Sequence, residues 1–196
     1  YFGRDDFGCL WAPEIFYNEE DDEYIIHFSA TVKADGYKKM AIYYTKTKDF
    51  ENFTMPKLFF EKACGVFDSH LVKIGDTYHL FYKTSAEPLM NMHATSNSLF
   101  GKWQHDYDFQ KYMQTLYRPG SHEAATTYIL PDGKWCLMLD FFGCEKEKMG
   151  YVPFISKKAG DAHFHQVNQL FSFPYGFKHG GVIEISDEEY ERLLKI

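Results

Sequence analysis

The amino-acid sequence predicts an all-β fold of the β-propeller type, in which four-stranded sheets are arranged around a central channel. Three observations lead to this prediction. Short apolar and aromatic runs alternate with turn residues, the same hairpin pattern returns at a nearly constant spacing, and only the C-terminal stretch has a persuasive helical pattern. An aromatic content of 19% agrees with packed strands rather than a disordered chain.

Each repeat unit begins with an acidic residue that is followed by a β-hairpin pattern. These residues are Glu14, Asp68 and Glu123, at spacings of 54 and 55 residues. Two apolar runs follow each of them and are separated by turn residues such as those at 75–76. A third run comes next in each unit and leads to an aromatic residue near the start of a predicted fourth strand; these aromatic residues are Phe53, Trp103 and Phe164.

The repeat divides a single domain, residues 1–196, into three full units and part of another. The full units cover about residues 11–64, 65–119 and 120–175, and the partial unit covers 176–196. The partial unit contains a predicted strand at 180–185 and a predicted helix at 187–194, with Ser186 as its N-cap. A β-sandwich also has closely spaced strands, but it gives no reason for an acidic residue to recur in each unit.

The composition limits the classes of function. The 21 Lys and Arg residues are outnumbered by 28 Asp and Glu residues, which gives a net charge of −7. An acidic surface is unsuited to a phosphate backbone, so nucleic acid is not an expected partner. No window contains the roughly 20 apolar residues of a membrane span.

The cysteines have no Cys-x-x-Cys spacing, so a structural zinc site is not expected. We expect them to be buried as small apolar residues, and a single disulfide is left open because nothing selects a pair. The four cysteines are Cys9, Cys64, Cys136 and Cys144.

The acidic residues at the heads of the units suggest a chemistry. In a propeller the first strand of each unit lines the channel, so Glu14, Asp68, Glu123 and His179 are expected to converge on one pocket. Two carboxylates across a pocket can cleave a glycosidic bond, because one protonates the leaving oxygen and the other activates water or attacks the sugar. Structural roles stay open: Pro13 before Glu14 is typical of a turn, and His179 could be a core histidine or a metal ligand.

Segments along the whole chain, in order, resemble the family 43 glycoside hydrolases, which are five-bladed β-propellers. Residues 11–14 (WAPE) resemble the motif that opens the second blade, and 67–72 (FDSHLV) resemble the first strand of the third. Residues 122–125 (HEAA) resemble the fourth-blade strand, and 177–183 (FKHGGVI) resemble the fifth-blade segment. The resemblance implies that this chain covers blades 2–4 and part of blade 5.

The resemblance also implies roles for individual residues. Glu123 matches the general acid of the family, and Asp68 matches the aspartate that orients this acid and raises its pKa. His179 matches a channel histidine near a bound ion or ordered water, so it is a candidate metal ligand. No cofactor is required, and a structural Ca²⁺ or Na⁺ ion in the channel would have mostly water ligands. The residues expected to bind substrate are Trp11, Glu14, Phe67, Lys178 and His179.

The implied activity is the inverting hydrolysis of α-L-arabinofuranosyl or β-xylosyl linkages in plant cell-wall polysaccharides, which suggests an extracellular or periplasmic protein. The family's general base comes from the first blade, upstream of residues 11–14. The nearby Asp5 and Asp6 lack the strand–turn–strand pattern that should follow. We therefore expect the first blade and the general base to lie outside this chain.

Two departures from the family pattern leave the specificity open. Many members carry Asp-Pro in the third blade and Glu-Gly-Pro in the fourth, where this chain has Asp68-Ser69 and Glu123 followed by two alanines. A non-catalytic carbohydrate-binding propeller is the main alternative. A related five-bladed clan acting on fructosides ranks lower, because its middle acid usually lies in an Arg-Asp-Pro motif.

Overall fold

The computed structural model describes residues 6–142, 149–171 and 176–195. Asp5 and Cys144 therefore lie outside the described residues. The described chain folds into three four-stranded antiparallel sheets with few helices, so the all-β prediction is confirmed. Five blades remain a prediction.

The strands of each sheet follow one another in chain order, so every neighbouring pair is joined by a direct connection. The first sheet contains β1 (Phe7–Asn18), β2 (Glu23–Val32), β3 (Ala41–Thr47) and β4 (Lys57–Phe60). The second contains β5 (Val66–Ile74), β6 (Thr77–Thr84), β7 (Asn91–Ser96) and β8 (Gln104–His105). The third contains β9 (His122–Ile129), β10 (Trp135–Phe141), β11 (Gly150–Ser156) and β12 (His165–Gln166).

The hairpins form where turn residues separate two apolar runs. Ile74 pairs with Thr77, so β5 and β6 are joined by a two-residue turn. The first turn residue, Gly75, has φ 58°, a conformation that glycine adopts without steric cost. The sequence predicts this hairpin correctly because a two-residue turn depends only on residues that are close together in the chain.

Aromatic side chains pack the second sheet against the third. Trp135 is completely buried, and its ring centroid lies 5.7 Å from that of Phe81 and 5.1 Å from that of Phe164. Phe81 and Phe164 are themselves in contact, with centroids 6.1 Å apart. This cluster fixes the distance between the two sheets and therefore between the strands that hold Asp68 and Glu123.

Two expectations about secondary structure were wrong. Helix α1 (Tyr107–Gln114) was not predicted, because only Phe109 and Met113 form its buried face in an otherwise polar segment. The Asp106 side chain caps this helix by accepting hydrogen bonds from backbone N–H groups of its first turn. Residues 180–185 do not form a strand: they have no ladder partner among the described residues, and Ile183 is 82% exposed.

Other local expectations are confirmed. Helix α2 (Asp187–Leu193) begins after Ser186, whose side chain forms a reciprocal capping box with Glu189. Trp103 and Phe164 come directly before fourth strands, whereas Phe53 precedes β4 by a short loop.

The described cysteines, Cys9, Cys64 and Cys136, are free thiols. Cys136 is buried as expected, whereas the expectation was wrong for Cys9 and Cys64, which are only partly buried. No helix among the described residues is long and apolar enough to cross a membrane.

Candidate active site

The first strand of each sheet is interrupted by a bulge. The bulges lie at 11–14 in β1, 67–70 in β5 and 123–126 in β9. In each bulge the second residue has a left-handed backbone, which is uncommon outside glycine. These residues are Ala12 (φ 46°), Asp68 (φ 49°) and Ala124 (φ 53°). A bulge changes the direction in which side chains leave a strand, so the three bulges shape one end of the molecule.

The positions of the bulges show that the three acidic residues are not equivalent in the structural repeat. Ala12, Asp68 and Ala124 are each 56 residues apart, so the structural repeat differs from the spacing of Glu14, Asp68 and Glu123. Glu123 precedes the left-handed residue of its bulge, Asp68 is that residue, and Glu14 lies two residues after it. The three carboxylates therefore leave the backbone at different positions and do not all face the same space.

A pocket of about 590 Å³ lies where the bulges meet. It collects most of the predicted site residues, although they come from separate sheets and from the C-terminal segment. Its lining consists of Trp11, Ala12, Pro13, Phe67, Asp68, Glu123 and His179. Two predicted residues, Glu14 and Lys178, are not in the lining.

The pocket brings together two carboxyl groups with perturbed pKa values. Asp68 is 8% exposed, and burial raises its pKa against the opposing influence of His179 and Lys83. Burial also raises the pKa of the half-buried Glu123, and the neighbouring Asp68 raises it further. Two nearby carboxyl groups that resist ionisation together tend to retain one proton between them. Such a pair can hold a general acid in its protonated form.

The backbone of Asp68 is held by the first sheet. Its N–H donates to Ser29 Oγ at 2.9 Å, and the adjacent Ser69 hydroxyl lies 2.7 Å from His27 Nδ1. These contacts are buried, so they fix the left-handed turn that aims the Asp68 carboxylate into the pocket.

Sequence reasoning missed two charged residues on second strands. Lys83 lies opposite Phe67 in the β5–β6 register, and Asp140 lies opposite Glu123 in the β9–β10 register. Asp140 is 2% exposed, and burial raises its pKa. The available signal was that each is the only Asp, Glu, Lys or Arg residue of its strand. Such a residue in a core strand is rarely buried unless it is paired.

Lys178 contacts the missed carboxylate rather than the pocket lining. Its Nζ lies 3.4 Å from Asp140 Oδ2. His179, the next residue, lines the pocket and has a strained backbone with φ 26°. The C-terminal segment therefore closes the side of the pocket next to Glu123 and Asp140.

Glu14 forms part of a hydrogen-bonded bridge between the three sheets. The backbone N–H of Thr127 donates to His70 Nε2 at 3.0 Å, so this nitrogen must be unprotonated. The proton of a neutral His70 is then on Nδ1, which donates to Glu14 Oε2 at 2.8 Å. Burial raises the pKa of Glu14, but the interactions with His70 outweigh this and hold it below its ordinary range. Glu14 therefore joins sheets, and its contact with a substrate stays a prediction.

The substitution Glu14→Gln tests this role. A carboxylate with a lowered pKa stabilises the fold above its unfolded-state pKa, and this contribution is lost as the pH falls through the folded-state value. Gln keeps the acceptor for His70 but has no charge. We expect the Tm of the variant to fall less than that of the wild type between about pH 6 and about pH 3.5. Calorimetry on both proteins measures this, and parallel curves would contradict the role.

The described residues contain no group of three or more His, Cys, Asp or Glu side chains that could hold a metal ion. The suggestion that His179 binds a metal ion therefore stays a prediction. The channel ion stays a prediction from the resemblance.

Comparisons with known proteins show the family and the fold of the chain. Residues 2–191 match a family model described as "Probable glycosyl hydrolase domain", which is related to family 43. The chain is 28% identical over 89 residues to an α-L-arabinofuranosidase of Bifidobacterium longum subsp. longum. The match covers 39% of this chain and 8% of the relative.

Solved structures show the same fold. A thermostable family-43 glycoside hydrolase matches with a TM-score of 0.58 and 14% identity, over 81% of this chain and 54% of the other. The catalytic domain of a family-62 α-L-arabinofuranosidase from Coprinopsis cinerea matches with a TM-score of 0.58 and 14% identity, over 81% and 50%. The chain thus spans about half the length of these structures. Since the family model covers nearly the whole sequence, this chain belongs to the glycosyl hydrolase domain family related to family 43.

Proposed function

We propose that this chain is the acid-bearing part of an inverting glycosidase that acts on α-L-arabinofuranosyl or β-xylosyl linkages. The observation that carries the proposal is the pocket shared by Asp68 and Glu123, in which burial raises the pKa of both carboxyl groups. A protonated carboxyl group beside an ionised one is the arrangement that glycosidic bond cleavage requires.

Glu123 is the proposed general acid. It is the more accessible of the two carboxyl groups, so it can reach the glycosidic oxygen of a bound sugar. Asp68 is more deeply buried and is held by the hydrogen bond between its own backbone and Ser29. As Asp68 ionises, its negative charge raises the pKa of Glu123 and keeps the proton there until it is donated.

The remaining lining suits a sugar. Trp11 is 55% exposed and offers an aromatic face on one side of the pocket, while Phe67 is half-buried on another. Aromatic faces bind the apolar face of a sugar ring, and His179 can exchange hydrogen bonds with its hydroxyl groups. Lys178 contacts Asp140 and does not line the pocket, so we propose that its influence on a bound substrate is indirect.

Arabinofuranosides are the first substrates to test, because the matched Bifidobacterium protein is described as an α-L-arabinofuranosidase. A β-xylosidase among the similar structures supports xylosides as the second class. Linkages of plant polysaccharides imply that the protein works outside the cytoplasm, in the extracellular space or the periplasm.

Inversion also needs a general base about 6.5–9.5 Å from the acid. Asp68 and Glu123 supply the only carboxylates among the described lining residues. We propose that the base belongs to a part of the protein outside residues 1–196. The activity should therefore be measured on the full-length protein.

The test is hydrolysis of aryl α-L-arabinofuranosides and aryl β-xylosides by the full-length protein, with the anomeric configuration of the first product followed by proton NMR. We expect turnover of at least one substrate class with inversion. Saturable binding of arabinose- or xylose-containing oligosaccharides without turnover would overturn the proposal in favour of a non-catalytic carbohydrate-binding protein. A retained configuration would overturn the inverting mechanism alone.

A further inference from the structure

Lys83 is a buried lysine at the end of β6, next to the proposed active site. The residue is 1% exposed, and its Nζ donates to the carbonyl oxygens of Gly120 at 2.5 Å and His122 at 2.6 Å. Asn91, its partner on β7, also donates to His122 O at 2.6 Å. The second sheet therefore grips the main chain directly before Glu123.

The position of Lys83 relates it to both proposed carboxylates. Its register partner Phe67 is the residue before Asp68, and its acceptor His122 is the residue before Glu123. Lys83 thus pairs through its backbone with the residue before Asp68 and contacts, through its ammonium group, the main chain before Glu123. This geometry connects the second and third sheets at the point where the acid must be aligned.

A charged donor is not needed to hold the main chain at His122. Asn91 already holds the His122 carbonyl with a neutral donor, and burying an ammonium group costs more than burying an amide. Carbonyl oxygens accept hydrogen bonds from Nζ but do not neutralise it. Glu123 and Asp68 favour the charged form of Lys83, and its Nζ also lies 5.4 Å from the centroid of the Phe142 ring. A buried charge kept at this place therefore suggests an electrostatic purpose.

Other charged groups also act on Glu123, so the effect of Lys83 must be weighed with them. Asp68 from β5 and Asp140 from β10 raise the pKa of Glu123, whereas Lys83 and Lys178 lower it. His179 acts on Asp68 and Asp140, and it lines the same pocket. Among these cations Lys83 is the one that is buried and held by the main chain, so its position is the most fixed.

We propose that Lys83 is a positioning residue for the proposed glycosidase: it clamps the start of β9, and its charge keeps the Asp68–Glu123 pair from holding more than one proton. This inference rests on the proposed function. Burial lowers the pKa of Lys83 to about 8, so the residue is cationic through the acid and neutral range. A cation favours the ionised form of a nearby carboxyl group, so removal of this cation must raise the pKa of Glu123.

The first test does not depend on activity. The carboxyl carbon of Glu123 is titrated by NMR in the wild type and in three variants at this position. Lys83→Met removes the donor and the charge, Lys83→Gln keeps a donor but no charge, and Lys83→Arg keeps the charge. We expect the pKa of Glu123 to rise in the Met and Gln variants and to stay near the wild-type value in the Arg variant.

Lys73→Met is the matched control. Lys73 lies on β5 of the same sheet, is partly exposed and pairs with Glu20 at 2.6 Å, so its loss should not move the titration of Glu123. An unchanged Glu123 titration in Lys83→Gln would overturn the proposal. Should Lys83→Met fail to fold, as judged by circular dichroism, the Gln variant makes the same comparison.

The second test uses the full-length enzyme. The basic limb of kcat/KM reports the loss of the proton from the general acid, so it should move to higher pH in Lys83→Gln. At the pH optimum of the wild type, we expect kcat to fall about tenfold, because the start of β9 is no longer clamped and Glu123 is less well aligned. The KM should change little, because Lys83 does not line the pocket. A purely structural role would lower activity without moving the limb, and that result would overturn the proposal. If the wild type hydrolyses no glycoside, the proposed function fails, while the NMR titration still decides the role of Lys83.

Discussion

Replacing Glu123 with Ala in the full-length protein is expected to lower kcat/KM for natural arabinosides or xylosides by about a thousandfold. Positioned general acids typically contribute 10²–10⁴ in rate, and a sugar or alkoxide leaving group departs slowly without a proton. Aryl glycosides with activated leaving groups need little protonation, so they should lose far less activity. Parallel assays on both substrate types measure the difference.

The matched control is Glu188→Ala, because Glu188 is an exposed carboxylate on α2 that takes no part in the capping box. This variant should keep wild-type activity on both substrate types. Equal losses on natural and activated substrates in Glu123→Ala would show that Glu123 does not act as the acid. No loss on either would remove it from the mechanism.

Replacing Trp135 with Ala is expected to lower the free energy of unfolding by about 3–5 kcal/mol. The indole is fully buried and contacts His79, Phe81 and Phe164, with ring centroids 5.0, 5.7 and 5.1 Å away. Its loss leaves a cavity between the second and third sheets that rigid strands cannot close. Urea unfolding, followed by circular dichroism, measures the change.

Trp135→Phe separates packing from hydrogen bonding. The Trp135 Nε1 atom is buried without a hydrogen-bond partner among the described residues, and Phe removes this polar atom while keeping an aromatic ring. We expect a loss below about 1.5 kcal/mol, because the smaller ring costs packing but relieves the unpaired donor. A loss in Trp135→Phe as large as that in Trp135→Ala would show that the indole N–H is satisfied in solution.

The strands were largely predictable because their signals are local. The hairpin of β5 and β6 follows from two apolar runs around Gly75 and Asp76, and the N-cap of α2 follows from Ser186. Helix α1 escaped prediction because its buried face has only two residues, Phe109 and Met113. Residues 180–185 read as a strand, but a strand also needs a neighbour, and the sequence does not say whether one is present.

The candidate site could be predicted in part. Repetition and family resemblance singled out Asp68, Glu123 and His179, and the structure brings all three to one pocket. The same reasoning placed Glu14 beside them, although it binds His70 and joins the sheets. It also passed over Lys83, because a charge at the end of a strand usually faces solvent.

By itself, the sequence determined an all-β chain of repeated hairpins, since alternation and turn residues act between near neighbours. Only the tertiary structure decided which charges share the pocket. Left-handed residues in the bulges set the direction of Asp68 and Glu123, and strand register brought Lys83 and Asp140 opposite them. These arrangements depend on contacts between residues far apart in the chain, whose energies arise only when the sheets pack and water is excluded.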